Sequence, residues 1–135
     1  MSVSLPVNND DLRAALTSVC PAITLAIVFG SMANNTATFH SDLDVAVYAD
    51  RALLAEEKKA LIEALAFVTG RSVDLIDLHS AGEPLLGQIL TKGRRIFGDN
   101  TCFAKLLSRH WFEQADFLPY KNRILKERRE KWIGN

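Results

Sequence analysis

Three aspartates and a glycine–serine pair are the residues of this chain whose types and spacing could do chemistry. In "FGSMANNTATFHSDLDVAVY", residues 29–48, Gly30 and Ser31 follow an apolar β-branched run, and Asp42 and Asp44 open the next apolar run. Side chains alternate along a strand, so Asp42 and Asp44 project from one face and Leu43, Val45 and Val47 from the other. Two carboxylates about 7 Å apart at their Cα atoms are placed to share a divalent ion. Uncompensated, they repel and their pKa values rise. A bound Mg²⁺ reverses that logic, and this hard, oxygen-seeking cation usually also holds substrate phosphates. Gly30 lets the backbone approach a phosphate closely, and the turn after it offers free N–H donors to which Ser31 adds a hydroxyl. Asp74 lies within "VDLIDL", between Val73 and Leu75, where an ionised side chain is costly unless it meets a metal or a cation. Asp77, in the same run, points to the opposite face and competes with Asp74 for the role of third carboxylate. Three acids on neighbouring strands and a phosphate-gripping turn are the parts of two-metal phosphoryl transfer.

The elements that must position these groups are legible from periodicity. "NNDDLRAALTSV", residues 8–19, carries apolar residues at helical spacing behind Asn and Asp caps, and Pro21 closes it. "ITLAIVF" (23–29) is a buried strand, "MANN" (32–35) a short helical turn, the stretch to residue 41 a loop, and "DLDVAVY" (42–48) a second strand. Residues 52–69 form a helix that Gly70 ends in a left-handed conformation, and 72–78 a third strand. "EPLLGQILTK" (83–92) is a short helix that tolerates Pro84 in its first turn and ends at Gly93, and "RRIF" is a short edge strand. A helical tail starts with Asn100 or Thr101 as its cap. Phe103, Leu106, Leu107, His110, Trp111, Gln114 and Phe117 form its packing face, Pro119 breaks it, and a basic segment follows. The order predicts an α/β (α+β) fold, a small mixed sheet with flanking helices.

At 135 residues and 48% hydrophobic content, the chain fits one domain, with a core over about 8–99 and a helical extension over about 100–135. The net charge of zero is uneven: residues 1–100 carry 8 Lys and Arg against 12 Asp and Glu, whereas residues 101–135 carry 8 against 4. That asymmetry suggests a partner-facing tail more than a general nucleic-acid surface, and Glu127 and Glu130, interleaved with its bases, favour a solvated helix or a dock for a partner over a nucleic-acid stripe. Cys20 and Cys102 read as buried small hydrophobes in a reducing compartment. No stretch is long enough for a membrane helix and no signal peptide is visible, so the expectation is a cytoplasmic protein without a membrane partner. His40 reads as a solvated loop residue, His79 and His110 as structural, and the Trp111 and Phe117 stripe as core.

"GSMANNTATFHSDLD" fits the Gly-Ser, ten residues, Asp-x-Asp pattern of the DNA polymerase β-like nucleotidyltransferase superfamily. The small size and "VDLIDL" resemble its minimal nucleotidyltransferase (MNT) branch, whose members are typically encoded beside HEPN-domain toxins as their antitoxins. The resemblance covers residues 23–97. It implies that Gly30 and Ser31 hold the triphosphate, that Asp42 and Asp44 bind two Mg²⁺ ions, and that Asp74 binds the catalytic ion and helps activate the incoming hydroxyl. It also favours Asp74 over Asp77, leaving Asp77 as a cap or turn residue at the strand end. The activity implied is AMP transfer from ATP to a tyrosine hydroxyl of a cognate HEPN toxin, with release of pyrophosphate. Many relatives carry Arg and then Gly where this chain has Asn34 and Asn35, so a positive charge near the phosphates is missing. A small-molecule nucleotidyltransferase of the aminoglycoside-modifying kind and a non-catalytic antitoxin acting by binding are the competing readings.

Overall fold

The computed structural model describes residues 8–30 and 42–113. Their order is α1 (Asn9–Val19), β1 (Ile23–Phe29), β2 (Leu43–Ala49), α2 (Ala55–Thr69), β3 (Val73–Asp77), α3 (Leu85–Lys92) and β4 (Arg94–Gly98), followed by α4 over 100–113. The strands form one mixed sheet in the order β3-β2-β1-β4. β1 is antiparallel to both β2 and β4, whereas β2 and β3 are parallel, as a crossover through α2 requires.

Alternation along the strands builds a core on each face. Val28, Leu43, Val45, Val47 and Leu75 meet Leu12 and Leu16 of α1 and Leu61 and Leu65 of α2. Leu25, Ile27 and Ala46 meet Leu86, Ile89 and Leu90 of α3 and Leu106 of α4 on the other face. β2 is therefore central and sandwiched, which is why its run is apolar on both faces except where Asp44 interrupts it.

Helix ends follow local chemistry. The Asn8 side chain accepts from Asp10 N at 2.8 Å to open α1, and Gly70, at φ +67°, closes α2 in the left-handed conformation expected of it. α2 begins at Ala55 rather than at residue 52, because Leu53 N donates to Asp77 Oδ2 at 2.8 Å and Leu54 N to Glu57 Oε1 at 2.9 Å, which fixes the chain in an extended entry. α4 is capped one residue earlier than expected: the Asp99 carboxylate, not Asn100 or Thr101, accepts from Cys102 N at 2.8 Å. Its packing face is also narrower than the periodicity implied. Leu106 and His110 are buried, but Trp111 is 60% exposed and is not core. The expectations for residues 32–35 and 114–135, including Phe117, Pro119 and the basic segment, lie outside the described residues. Among those described, no helix is long and apolar enough to cross a membrane.

Arg109 ties α4 to the sheet by donating to Leu78 O and Ala81 O at 2.7 and 3.0 Å, and His110 Nδ1 lies 2.6 Å from Glu83 Oε1. The α2 entry is held by a two-pronged ion pair in which Arg51 donates to both Glu57 oxygens at 2.7 and 2.8 Å. The Arg51 hydrogen bonds, with that from Leu54 N, hold the Glu57 carboxyl down to about 2. A carboxylate with a depressed folded-state pKa gives stability that is full above the ordinary Glu range and lost as pH falls toward about 2. Glu57→Gln is accordingly expected to lower the melting temperature at neutral pH, with the deficit shrinking through the acid range; thermal melts across pH check this.

Candidate active site

The sheet brings the predicted acids together at one end. β1 arrives there at Phe29, whose register partner is Asp44, and the parallel pairing places Asp44 opposite Asp74. Adjacent strands lie about 4.8 Å apart, so the two aspartates are lateral neighbours. They share the sheet face on which Ala46 and Ile76 pack, with the first core behind them. Asp42 sits just before β2, exposed like Asp74, while Asp44 is half-buried.

Gly30 does more here than free a turn. It sits at φ +73°, and a Cβ on it would lie 2.4 Å from Asp44 Oδ2. The absent side chain is thus the space that the Asp44 carboxylate occupies. Positive φ adds a second reason for glycine, since L residues lose about 1–2 kcal/mol in that region.

Burial, then the neighbouring Asp74 and Asp42 carboxylates, push the Asp44 carboxyl above its ordinary range. The folded chain therefore holds that proton more tightly than the unfolded chain does, and this group's contribution to stability falls as pH rises through the window between the two pKa values. Like charges at this spacing call for a cation. Carboxylate oxygens are the donors a hard divalent ion such as Mg²⁺ takes, and the donor set fits one. Among the described residues, however, no three His, Cys, Asp or Glu side chains are grouped closely enough to enclose a metal by themselves. An ion held by Asp42, Asp44 and Asp74 would need further oxygens, which phosphates or water supply in Mg²⁺ sites.

Asp77 is not part of this constellation. It ends β3 at the opposite end of the strand, 5% exposed, and its carboxylate accepts from Leu53 N and His79 N at 2.8 and 3.0 Å. That is the cap and turn role expected of it. His79 is structural too: its ring stacks on Tyr48 at 4.4 Å and its Nε2 lies 2.6 Å from Ala49 O. Ser31, Asn34, Asn35 and His40 lie outside the described residues. The Gly30–Asp44 contact had no signal in the sequence, because it depends on the β1–β2 register.

The contact predicts energetic coupling. Gly30→Ala should destabilise the wild-type chain clearly more than it destabilises an Asp44→Ala chain, which has removed the atom in the way. A double-mutant cycle in denaturant is expected to give a coupling of roughly 0.5–3 kcal/mol; additive effects would contradict the contact.

Comparison with known proteins agrees with this fold. A family model described as polymerase beta, nucleotidyltransferase, matches residues 13–101. The protein adenylyltransferase MntA of Shewanella oneidensis is 32% identical over 114 residues, covering 82% of this chain and 82% of that protein. A crystal structure of a toxin–antitoxin with AMP-PNP matches with a TM-score of 0.73 at 28% identity, over 88% of this chain and 99% of that one. A tri-AMPylated Shewanella oneidensis HEPN toxin in complex with MNT antitoxin gives a TM-score of 0.65 at 27% identity, over 87% and 95%. The family match over residues 13–101, with 32% identity across most of both chains and a shared fold, shows that the chain belongs to the polymerase β nucleotidyltransferase family.

Proposed function

We propose that this protein is the antitoxin of a type VII-like HEPN/MNT pair and acts as a Mg²⁺-dependent protein adenylyltransferase, moving AMP from ATP to a tyrosine hydroxyl of its cognate HEPN RNase toxin. The observation that carries the reading is the register of Asp44 with Asp74 beside Gly30. The relative named a protein adenylyltransferase, and the matched structure of an AMPylated HEPN toxin with its MNT antitoxin, support the choice of group and acceptor. A cytoplasmic setting, where ATP and an RNase toxin meet, belongs to the same reading.

In the proposed reaction the tyrosine oxygen forms a bond to the α-phosphorus of ATP. The bond from that phosphorus to the bridging oxygen breaks, and pyrophosphate leaves with the electron pair. Asp74, the exposed member of the in-register pair, takes the hydroxyl proton. Gly30 and Ser31 orient the triphosphate, the first by leaving the backbone bare and the second through its hydroxyl. Asp42, Asp44 and Asp74 would hold two Mg²⁺ ions, which supply charge neutralisation for the phosphates and the leaving group. The adduct would neutralise an RNase site by its charge and bulk, as phosphorylation does elsewhere.

The test is incubation with Mg²⁺, α-labelled ATP and the co-encoded HEPN protein, following label and mass on the partner. The wild-type chain is expected to add AMP to tyrosine. Asp42→Asn with Asp44→Asn, and Asp74→Asn alone, should each lose more than the ~10–100-fold that removal of a merely supporting group costs. Asp77→Asn should spare most of the transfer. Full neutralisation by the doubly substituted chain without any label would instead mean inhibition by binding alone.

A further inference from the structure

Charge is unbalanced at the end of the sheet where Gly30 lies. Asp42, Asp44 and Asp74 are acids, a triphosphate is polyanionic, and two divalent ions do not neutralise both. The segment that crosses this end, residues 30–41, contains no Lys or Arg. The junction of α3 with β4 brings a cation there instead. β4 runs antiparallel to β1 with Val28 opposite Arg94, so continuing that register by two residues sets position 92 level with Gly30. Lys92 is the last residue of α3, and α3 packs on the face of Ile27 and Ala46, which is also the face of Asp44. On the other side of β1, Phe29 is the register partner of Asp44, so a single strand separates the level of Lys92 from the acids. Gly93 fixes the place of this helix end. A Cβ on it would collide with the Ile27 side chain and with Ile89 O and would lie 3.2 Å from Val28 O, so α3 ends pressed against β1.

The neighbouring cations are committed elsewhere. Arg94 donates to Asn9 of α1 on the opposite face, and Arg95 lies over the Phe103 ring at 4.3 Å and donates to Asn100 Oδ1 at 3.0 Å. The Lys92 side chain is exposed, and its ammonium makes no hydrogen bond or ion pair among the described residues. Gly87, Gln88 and Thr91 line a groove with His110 of α4, and Lys92 follows Thr91 by about 100° around the helix, clear of that groove. We propose that Lys92 binds the β- and γ-phosphates of the nucleotide, holding the pyrophosphate end of the triphosphate while the acids hold the metal. This inference rests on the nucleotidyl-transfer reading above and assigns the cation of that site. An ammonium on a flexible stem donates to several phosphate oxygens and offsets the charge that develops on the leaving pyrophosphate. The competing role for a lysine in the last turn of a helix is to neutralise the carbonyl end of the helix dipole, which needs no nucleotide.

The two roles separate in a binding measurement on the full chain with Mg²⁺, comparing α,β-methylene-ATP with AMP for wild type, Lys92→Gln and Lys92→Arg. Lys92→Gln is expected to weaken the triphosphate analogue by roughly tenfold, the worth of a hydrogen bond to a charged group, and to leave AMP affinity unchanged. Lys92→Arg should restore most of the loss. With labelled ATP and the co-encoded HEPN protein, Lys92→Gln should raise KM for ATP by a similar factor. Equal weakening of both nucleotides would make the effect structural and overturn the proposal. A Lys92→Gln chain that melts lower yet keeps its affinity for the triphosphate analogue would assign Lys92 to the helix dipole and overturn it as well, leaving AMP transfer standing. A wild-type chain that binds no triphosphate analogue would defeat the transfer reading itself, and this proposal with it.

Discussion

The half-buried carboxylate of Asp44, set beside Asp74 and Asp42, is the constraint on which the rest of the structure depends. A sheet that only had to fold would place an apolar residue at position 44, near the start of a sandwiched strand. It holds instead a half-buried carboxylate whose ionisation is opposed first by burial and then by two like charges. Such a group persists only where the surrounding structure over-determines its position. Gly30 supplies part of that determination, since the carboxylate fills the space a side chain would take.

The remaining determination comes from the strands. Asp44 faces Asp74 only if β2 and β3 keep one register, and a slip of one residue would turn Asp74 to the other face. Two cores lock that register, one on each face, with Leu75 in the first and Ile76 packed against the second. Asp77 locks it again at the far end. By accepting from Leu53 N and His79 N it ties the end of β3 to the entry of α2 and to the following turn. The buried acid at one end of β3 is thus a fixture that aims the exposed acid near the other. α4 braces the same region through Arg109 and its bonds to Leu78 O and Ala81 O.

Much of this was legible in the sequence because the signals were local. The apolar run of β1 gave Ile23–Phe29 to the residue, and Gly70 marked the end of α2 by its tolerance for positive φ. Elements were misjudged where a distant partner decides. The start of α2 depends on Asp77, which lies across the sheet, and no count of apolar residues shows that. The α4 cap moved to Asp99, where Asp and Asn offer equivalent side-chain acceptors and only geometry selects one. Trp111 fitted the period of α4, yet the contacts with α3 are made by Leu106 and His110. Among the candidate site residues, the shared face of Asp42 and Asp44 could be read from strand alternation, but the lateral pairing of Asp44 with Asp74 and the Gly30 contact required the sheet order.

The central claim is that Asp44 is a liability to the bare fold and an asset to the loaded one. The most direct measurement is the melting temperature of the wild-type chain and of Asp44→Asn, each without divalent ions and then with saturating Mg²⁺ and a non-hydrolysable ATP analogue. Without ions, Asp44→Asn should melt higher at neutral pH, and the gap should narrow as the pH is lowered and the wild-type carboxyl takes up its proton. With ligand at about a hundred times its dissociation constant, the wild-type chain should gain about 2.7 kcal/mol of stability that the variant largely lacks, so that the order reverses. An Asp44→Asn chain that melts no higher than wild type without ions, or that gains as much from the ligand, would contradict the account.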